Sequence, residues 1–165
     1  MQFKSVQMLG LALAALAAGC AQFSVPSTTP GTSAADVRAR LGAPSDQRAI
    51  GGVKVWDYVQ GPQGFTTWRV SFDGSDRVAK VEQILTESRI FSVNAGKHMR
   101  EDVSGLLGRP LSVMKFGADA SEVWTYRFMD VTDRKLGDIH FDATSGTVKR
   151  VTTYIDPAYS SAITN

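Results

Sequence analysis

Most of the 165-residue chain is one pattern written twice, and this repeat limits the folds that the chain can adopt. In each copy a glycine precedes a helix-like segment, Leu-Gly-x-Pro, an aromatic pair and a Phe-Asp dipeptide. Equivalent residues lie 66 positions apart at Val37 and Val103, and 69 apart at Phe72 and Phe141. The matched positions are Gly31, Val37, Leu41, Gly42, Pro44, Trp56, Tyr58 and Phe72 in the first copy, and Gly96, Val103, Leu107, Gly108, Pro110, Trp124, Tyr126 and Phe141 in the second. The sequence therefore predicts two tandem units, residues 31–85 and 86–156.

Each copy begins with the signals of a short helix. Thr32 or Ser33 can cap its start, and Val37 and Leu41 share one helix face. Gly42 and Gly108 stand where such a helix ends, so a positive φ is expected at both, with a similar stability cost for a larger residue there.

Alternating aromatic residues and tight-turn dipeptides after each helix predict three antiparallel strands. Residues 86–92 are expected to add a short helix to the second copy, whereas Pro26 and Pro30 argue against a full equivalent in the first. The predicted fold class is α+β: two units, each with one or two short helices followed by a three-stranded antiparallel sheet. A unit of about 60 residues buries too little surface to be stable alone, so the two should pack together or share one continuous sheet.

This pattern, Asp-Val, three residues, Leu-Gly-x-Pro, Trp-x-Tyr and a Phe-Asp hairpin, resembles the BamE (SmpA/OmlA) lipoprotein family, here as two copies. The resemblance implies an accessory subunit of outer-membrane β-barrel assembly. At the level of fold, the doubled arrangement is also similar to the β-lactamase inhibitory proteins, which are secreted tandem-repeat binders.

The N-terminus has the features of a processing signal. One cation, Lys4, precedes an apolar run of eleven residues, Met8 to Ala18, which is too short to span a bilayer. Ala17-Ala18-Gly19-Cys20 resembles a bacterial lipobox, although an ordinary secretory signal remains the alternative. We expect a signal peptide over residues 1–19, lipidation at Cys20, a tether over 20–30 and a C-terminal tail over 157–165. The absence of Asp after Cys20 implies, by resemblance to Gram-negative lipoproteins, an anchor on the periplasmic face of the outer membrane.

Composition excludes several functional classes. A net charge of +2 offers no basic excess for nucleic-acid binding. One cysteine and two histidines cannot supply the usual zinc-ligand sets. Neither a metal nor a cofactor is predicted, and no nucleophile, phosphate-loop or metalloprotease motif is present. A Ser/His/Asp site on His98 or His140 is possible in principle, but exposed polar histidines are the favoured interpretation.

The aromatic residues have two interpretations. Those that recur in both copies are expected mainly in the cores, whereas Trp68 has no aromatic counterpart and is a possible interface residue. Arg38, Arg40, Lys54 and Arg69 could meet anionic headgroups, although a mixed solvated surface is favoured.

The sequence favours a non-enzymatic lipoprotein that binds other envelope proteins, such as β-barrel assembly subunits, and reaches the membrane through its N-terminal lipid. The alternative is a periplasmic binding or inhibitor protein of the tandem-repeat type.

Overall fold

The computed structural model describes residues 25–61, 64–117 and 120–160, and the predicted signal peptide and Cys20 lie outside them. Two four-stranded antiparallel sheets have the orders β1-β2-β3-β4 (sheet 1) and β5-β6-β7-β8 (sheet 2). The elements are a 3-10 turn at Val25–Ser27, α1 (Ala34–Leu41), β1 (Asp46–Ile50), β2 (Val53–Gln60), β3 (Thr66–Phe72), β4 (Val78–Gln83), α2 (Glu87–Phe91), α3 (Arg100–Leu107), β5 (Ser112–Phe116), β6 (Ser121–Asp130), β7 (Asp133–Asp142), β8 (Val148–Ile155) and α4 (Pro157–Ser160). The α+β class and the two tandem units, called unit 1 and unit 2 below, agree with the sequence prediction.

Each sheet has one strand more than the sequence predicts. The additional strands, β1 and β5, are edge strands that pair with β2 and β6. β1 begins with three polar residues, Asp46-Gln47-Arg48, and β5 has the sequence Ser-Val-Met-Lys-Phe, so neither segment shows the alternation of apolar and polar residues that is typical of a strand. The prediction of three-stranded sheets was therefore wrong, because it depended on that alternation.

The helix ends are where the repeat places them. The Ser33 hydroxyl accepts the Asp36 N–H at 3.1 Å at the start of α1. Gly42 and Gly108 follow α1 and α3 with φ of +80° and +82°, which confirms the predicted positive φ. Each glycine N–H donates to the carbonyl four residues earlier, on Arg38 or Ser104. Glycine is favoured at both positions because side chains clash with the backbone at this φ.

The two cores repeat the same contacts. Trp56 packs edge-on against Phe72 with ring centroids 4.7 Å apart, and Trp124 tilts against Phe141 at 4.9 Å. The Tyr126 hydroxyl donates to the Gly108 carbonyl at 3.2 Å, as the Tyr58 hydroxyl does to Gly42 at 3.4 Å. The matched residues Val37, Trp56, Tyr58 and Phe72 lie in the first core and Val103, Leu107, Tyr126 and Phe141 in the second. The repeat in the sequence is thus a repeat in packing.

Unit 1 has a turn where unit 2 has the predicted short helix α2. Val25, at the head of this turn, is fully buried in the first core, as Ile90 of α2 is in the second. A Cβ on Gly137 would lie 3.3 Å from Ile90. The equivalent residue in unit 1 is Trp68, which packs partly buried against the first core. Unit 1 thus has the small turn and the large Trp68, whereas unit 2 has the full helix α2 and glycine at the equivalent position. Trp68 therefore has a packing role in the first core.

Helix α3 joins the two units. Val103 and Leu107 face the core of sheet 2. On the opposite side of the helix, Arg48 Nη1 of β1 donates to Ser104 Oγ at 3.0 Å, and Arg69 of β3 donates to the Gly105 carbonyl. The layers therefore follow the order α1, sheet 1, α2 with α3, and sheet 2.

Buried charges lie at this junction. Asp57 Oδ1 accepts Arg69 Nε at 2.7 Å, and Asp57 Oδ2 accepts Arg69 Nη2 and Arg48 Nη2, each at 2.8 Å. The Asp57 and Arg69 side chains are only 3% and 6% exposed. Arg69 is therefore part of the junction between the units, and it does not belong to the exposed basic group to which the sequence assigned it.

The C-terminal segment also contacts unit 1. Tyr159 of α4 packs edge-on against Phe65 with ring centroids 5.5 Å apart. Arg127 of β6 pairs with the buried Asp156 at 2.9 Å and lies over the Phe65 ring. Tyr159 of the predicted tail thus packs against unit 1. None of the helices in the described parts of the chain is long and apolar enough to cross a membrane.

Candidate functional site

The outer face of sheet 2 presents exposed apolar side chains and has a groove between its strands. Alternate residues of a strand point to opposite sides, so the strand registers determine which side chains share this face. They surround a groove of about 570 Å³. We define the outer face of sheet 2 by Met114 and Phe116 of β5, Val123 and Thr125 of β6, Asp138 and His140 of β7, and Arg150 and Tyr154 of β8.

The equivalent face of sheet 1 is covered over its centre. Ser104 and Gly105 of α3 lie there, and the Asp57 and Arg69 side chains are buried beneath the helix. In sheet 2, Met114, Phe116 and Tyr154 are 54%, 44% and 42% exposed. The tandem arrangement thus covers one sheet and leaves the same surface of the other sheet open.

Asp138 lies in the middle of the outer face of sheet 2, where two hydroxyl groups hold its carboxylate. Thr125 Oγ1 donates to Oδ1 at 2.7 Å, and the Tyr154 hydroxyl donates to Oδ2 at 3.0 Å. Burial and the neighbouring Asp138 charge raise the pKa of Tyr154 above its ordinary value, so this hydroxyl keeps its proton at neutral pH. The result is a fixed negative charge among apolar and polar side chains.

His140 lies beside a cation. Arg150 Nη2 is 3.5 Å from His140 Nδ1, and His140 Nε2 is 3.4 Å from Thr152 Oγ1. Burial, and then the Arg150 charge, lower the pKa of His140 below its ordinary value, so the ring is neutral near pH 7. In a hydrolytic triad a carboxylate stabilises the imidazolium from Nδ1, whereas here a guanidinium is at that nitrogen. The arrangement does not match that chemistry.

A second cavity, of about 440 Å³, opens at the junction of the units between Val59, Thr67, Leu111 and Arg127. Its floor includes Asp57, whose charge is already matched by two arginines. Within residues 25–61, 64–117 and 120–160, no group of three or more His, Cys, Asp or Glu side chains is placed to hold a metal ion. The outer face of sheet 2 therefore remains the stronger candidate for binding.

The residues singled out in the sequence lie mostly elsewhere. Gly31 and Gly96 have positive φ and donate to the carbonyls of Val78 and Val148. Pro44 and Pro110 follow the helices, while Leu41 and Trp124 pack partly buried against the two cores. His98 Nδ1 accepts the Asn94 N–H at 3.1 Å within a turn. These positions form the scaffold, and Trp68 belongs to it as well.

Apart from His140, the sequence did not point to the residues of the open face, because the sequence predictions depend on what the two copies share. The signal lies in their differences: the strand registers place Asp57 and Arg69 of unit 1 at the positions of Thr125 and Asp138 in unit 2. A buried ion pair in one copy and a hydroxyl with a carboxylate in the other indicate that the two faces have different surroundings.

No family model and no curated protein matches the sequence, so the BamE resemblance has no support from them. Three solved structures are similar at low identity. A DUF4309 family protein of Bacillus subtilis is 17% identical, with 75% of this chain and 78% of that chain covered and a TM-score of 0.31. A candidate β-lactamase inhibitor protein of Streptococcus mutans is 14% identical, with 79% and 87% covered and a TM-score of 0.33. An extracellular protein of Bacillus anthracis that contains an SCP domain is 15% identical, with 95% and 50% covered and a TM-score of 0.31. Nothing about the function of this chain follows from likeness at this level.

Proposed function

We propose that this chain is a non-catalytic binding protein that recognises another protein through the outer face of sheet 2. One observation carries the proposal. The two sheets are built from the same repeat, yet α3 covers the outer face of sheet 1 while that of sheet 2 remains open. Exposed Met, Phe and Tyr side chains around a fixed charge form the kind of surface that protein interfaces use.

We further propose that the protein works from a membrane surface. The support is in the sequence, where the single cysteine, Cys20, follows an eleven-residue apolar run at a lipobox-like site. By resemblance to BamE, its role would be that of an accessory protein in outer-membrane β-barrel assembly, anchored at the periplasmic face. An inhibitor of one periplasmic protein is the rival role for the same face.

The anchor is tested by Cys20→Ser. We expect wild-type protein to incorporate labelled palmitate and to fractionate with membranes, and the variant to carry no label and to be secreted in soluble form. The physical reason is that eleven apolar residues are too short to hold the chain in a bilayer once the acyl chains are absent. Mass spectrometry of the wild-type protein checks the result, and a mature chain without acyl mass would refute the anchor.

The binding face is tested by photocrosslinking in cells. A photoreactive phenylalanine at Phe116, 44% exposed on this face, should give a crosslinked product. The matched control is Phe91, which is 59% exposed on α2 and lies off the face. Crosslinks at Phe91 alone, or at neither position, would contradict the assignment.

The crosslinked partner separates the two roles. Barrel-assembly subunits or other envelope assembly proteins identified by mass spectrometry would support the accessory role. A single soluble periplasmic protein captured by both the lipidated chain and the Cys20→Ser chain would support the inhibitor role instead.

A further inference from the structure

The edge strand β5 differs from the other edge strands of the two sheets, which are β1, β4 and β8. Its side chains Val113, Met114 and Phe116 are exposed, and its single charged residue is Lys115. Each of the other edge strands carries two or more charged residues, among them Asp46 and Arg48 in β1, Lys80 and Glu82 in β4, and Lys149 and Arg150 in β8. Charged side chains on an edge strand discourage pairing with a further strand, whereas exposed apolar side chains favour it.

The repeat shows that an apolar edge is not required by the fold of the units. Val113 and Met114 correspond to Gln47 and Arg48, which lie 66 residues earlier in β1. Arg48 contacts Ser104 of α3, so this edge of sheet 1 takes part in the junction between the units. The same strand of sheet 2 has apolar residues at both positions, and both are exposed.

The geometry of an edge strand defines what can bind to it. Backbone N–H and C=O groups of alternate residues point away from the sheet along this edge, and another extended strand matches them. In the part of the chain that the structure describes, β5 pairs with β6 alone. Met114 and Phe116 lie on the outer face of sheet 2 and Val113 lies on the opposite side, so an added strand would cover apolar side chains on both faces.

A second β5 strand has the sequence that this edge needs. An antiparallel pair centred on Met114 uses all five residues of the strand: Met114 lies opposite itself, Val113 opposite Lys115 and Ser112 opposite Phe116. Two lysines are not opposite each other in this register. Lys115 already lies opposite Glu122 of β6 in its own copy, so the incoming strand needs no acidic residue, and β5 has none. The strand is thus complementary to itself.

We propose that two copies of this chain pair through antiparallel β5 strands, which joins their four-stranded sheets 2 into one continuous sheet. The contact is the same surface on both copies, so it closes as a two-fold dimer. A five-residue edge with three apolar side chains buries less than a standard interface of about 1,600 Å², so we expect a weak dimer. The inference goes beyond the proposed function, because it places two outer faces side by side.

Sedimentation velocity of the full chain with Cys20→Ser tests the inference without a lipid. We expect the weight-average mass to rise between about 5 and 200 µM toward twice the monomer mass and no further, a range that detects weak association. An ionic strength of about 50 mM keeps charge effects unscreened.

The decisive comparison is between two charges at Val113. Val113→Lys sets lysine opposite Lys115 of the second copy at two symmetric places, so it should weaken association at least tenfold. Val113→Glu sets a carboxylate at the same places and should associate at least as strongly as the parent. Both variants lose the same apolar side chain, so a patch without this register would lose affinity equally in both. Gln47→Lys, at the equivalent position of β1, is the matched control and should leave association unchanged.

Circular dichroism and thermal midpoints matched to the Cys20→Ser parent establish that each variant is folded. A parent chain that stays monomeric up to about 200 µM, or equal losses for Val113→Lys and Val113→Glu, would overturn the inference. If the parent is monomeric while Phe116 still crosslinks to a different protein, the inference fails and the proposed function stands. A dimer whose Phe116 crosslinks only to the second copy would support the inference and contradict the proposed function.

Discussion

Replacing Asp57 with alanine is expected to lower the free energy of unfolding by about 3–5 kcal/mol, the cost of removing one partner from a buried ion pair. The loss is large because Arg69, 6% exposed, keeps its charge in a site that no longer offers a carboxylate. Arg69 also donates to the Gly105 carbonyl of α3, so the substitution loosens the contact between the units. Urea denaturation measures the effect, and hydrogen exchange of the α3 amides reports the loosened contact.

The repeat supplies a matched control for this prediction. Thr125 occupies the position of Asp57 in sheet 2, where it makes one hydroxyl hydrogen bond to Asp138. Thr125→Ala should therefore cost only about 1 kcal/mol, the typical net worth of such a bond. Should Asp57→Ala fail to fold, Asp57→Asn keeps the volume and removes only the charge. A cost below about 1 kcal/mol for Asp57→Asn would show that the pair does not hold the junction together.

Gly108→Val is expected to lower stability by about 2–4 kcal/mol and Gly42→Val by about 1–2 kcal/mol. Both substitutions force a branched residue into a positive φ. Only at Gly108 does a Cβ also come within 3.1 Å of Asp57 Oδ2 and of Ile84 Cδ1. The sequence predicted similar stability costs at the two glycines. The structure instead predicts a larger cost at Gly108 than at Gly42.

Thermal unfolding of the two valine variants checks this difference, since each 1 kcal/mol shifts the midpoint of a chain of this size by about 2–4 °C. Gly42→Ala and Gly108→Ala serve as milder substitutions, because alanine retains the φ strain without the branched carbons of valine. Equal shifts for Gly42→Val and Gly108→Val would mean that the end of α3 does not pack against sheet 1 as described.

The sequence was informative about the helix ends, the central strands and the core aromatic residues that the two copies share. The ends of α1 and α3, the central strands and the aromatic pairs Trp56 with Phe72 and Trp124 with Phe141 all follow from local spacing that occurs twice. The edge strands β1 and β5 were not found, because residues at a sheet margin need no buried alternation.

The contact between the units could not be found by the same route. Arg69 and Gly105 are 36 residues apart and belong to different copies. The repeat relates each residue to its counterpart, and this correspondence does not show which residues of one copy touch the other. The candidate site was missed for the same reason, since Asp138 differs from Arg69, its counterpart in unit 1. Its role becomes visible once the covered face of sheet 1 is compared with the open face of sheet 2.

The burial of Val25 has a mechanical consequence for a membrane-anchored form. Four residues separate Cys20 from Val25, and five backbone steps extend to about 18 Å at most. Because Val25 is fully buried in the first core, a pull on the lipid would act directly on the packing of unit 1. The outer face of sheet 2 lies two layers beyond sheet 1. Such a short connection would hold unit 1 at the lipid surface and leave the outer face of sheet 2, at the opposite end of the layers, accessible to other molecules.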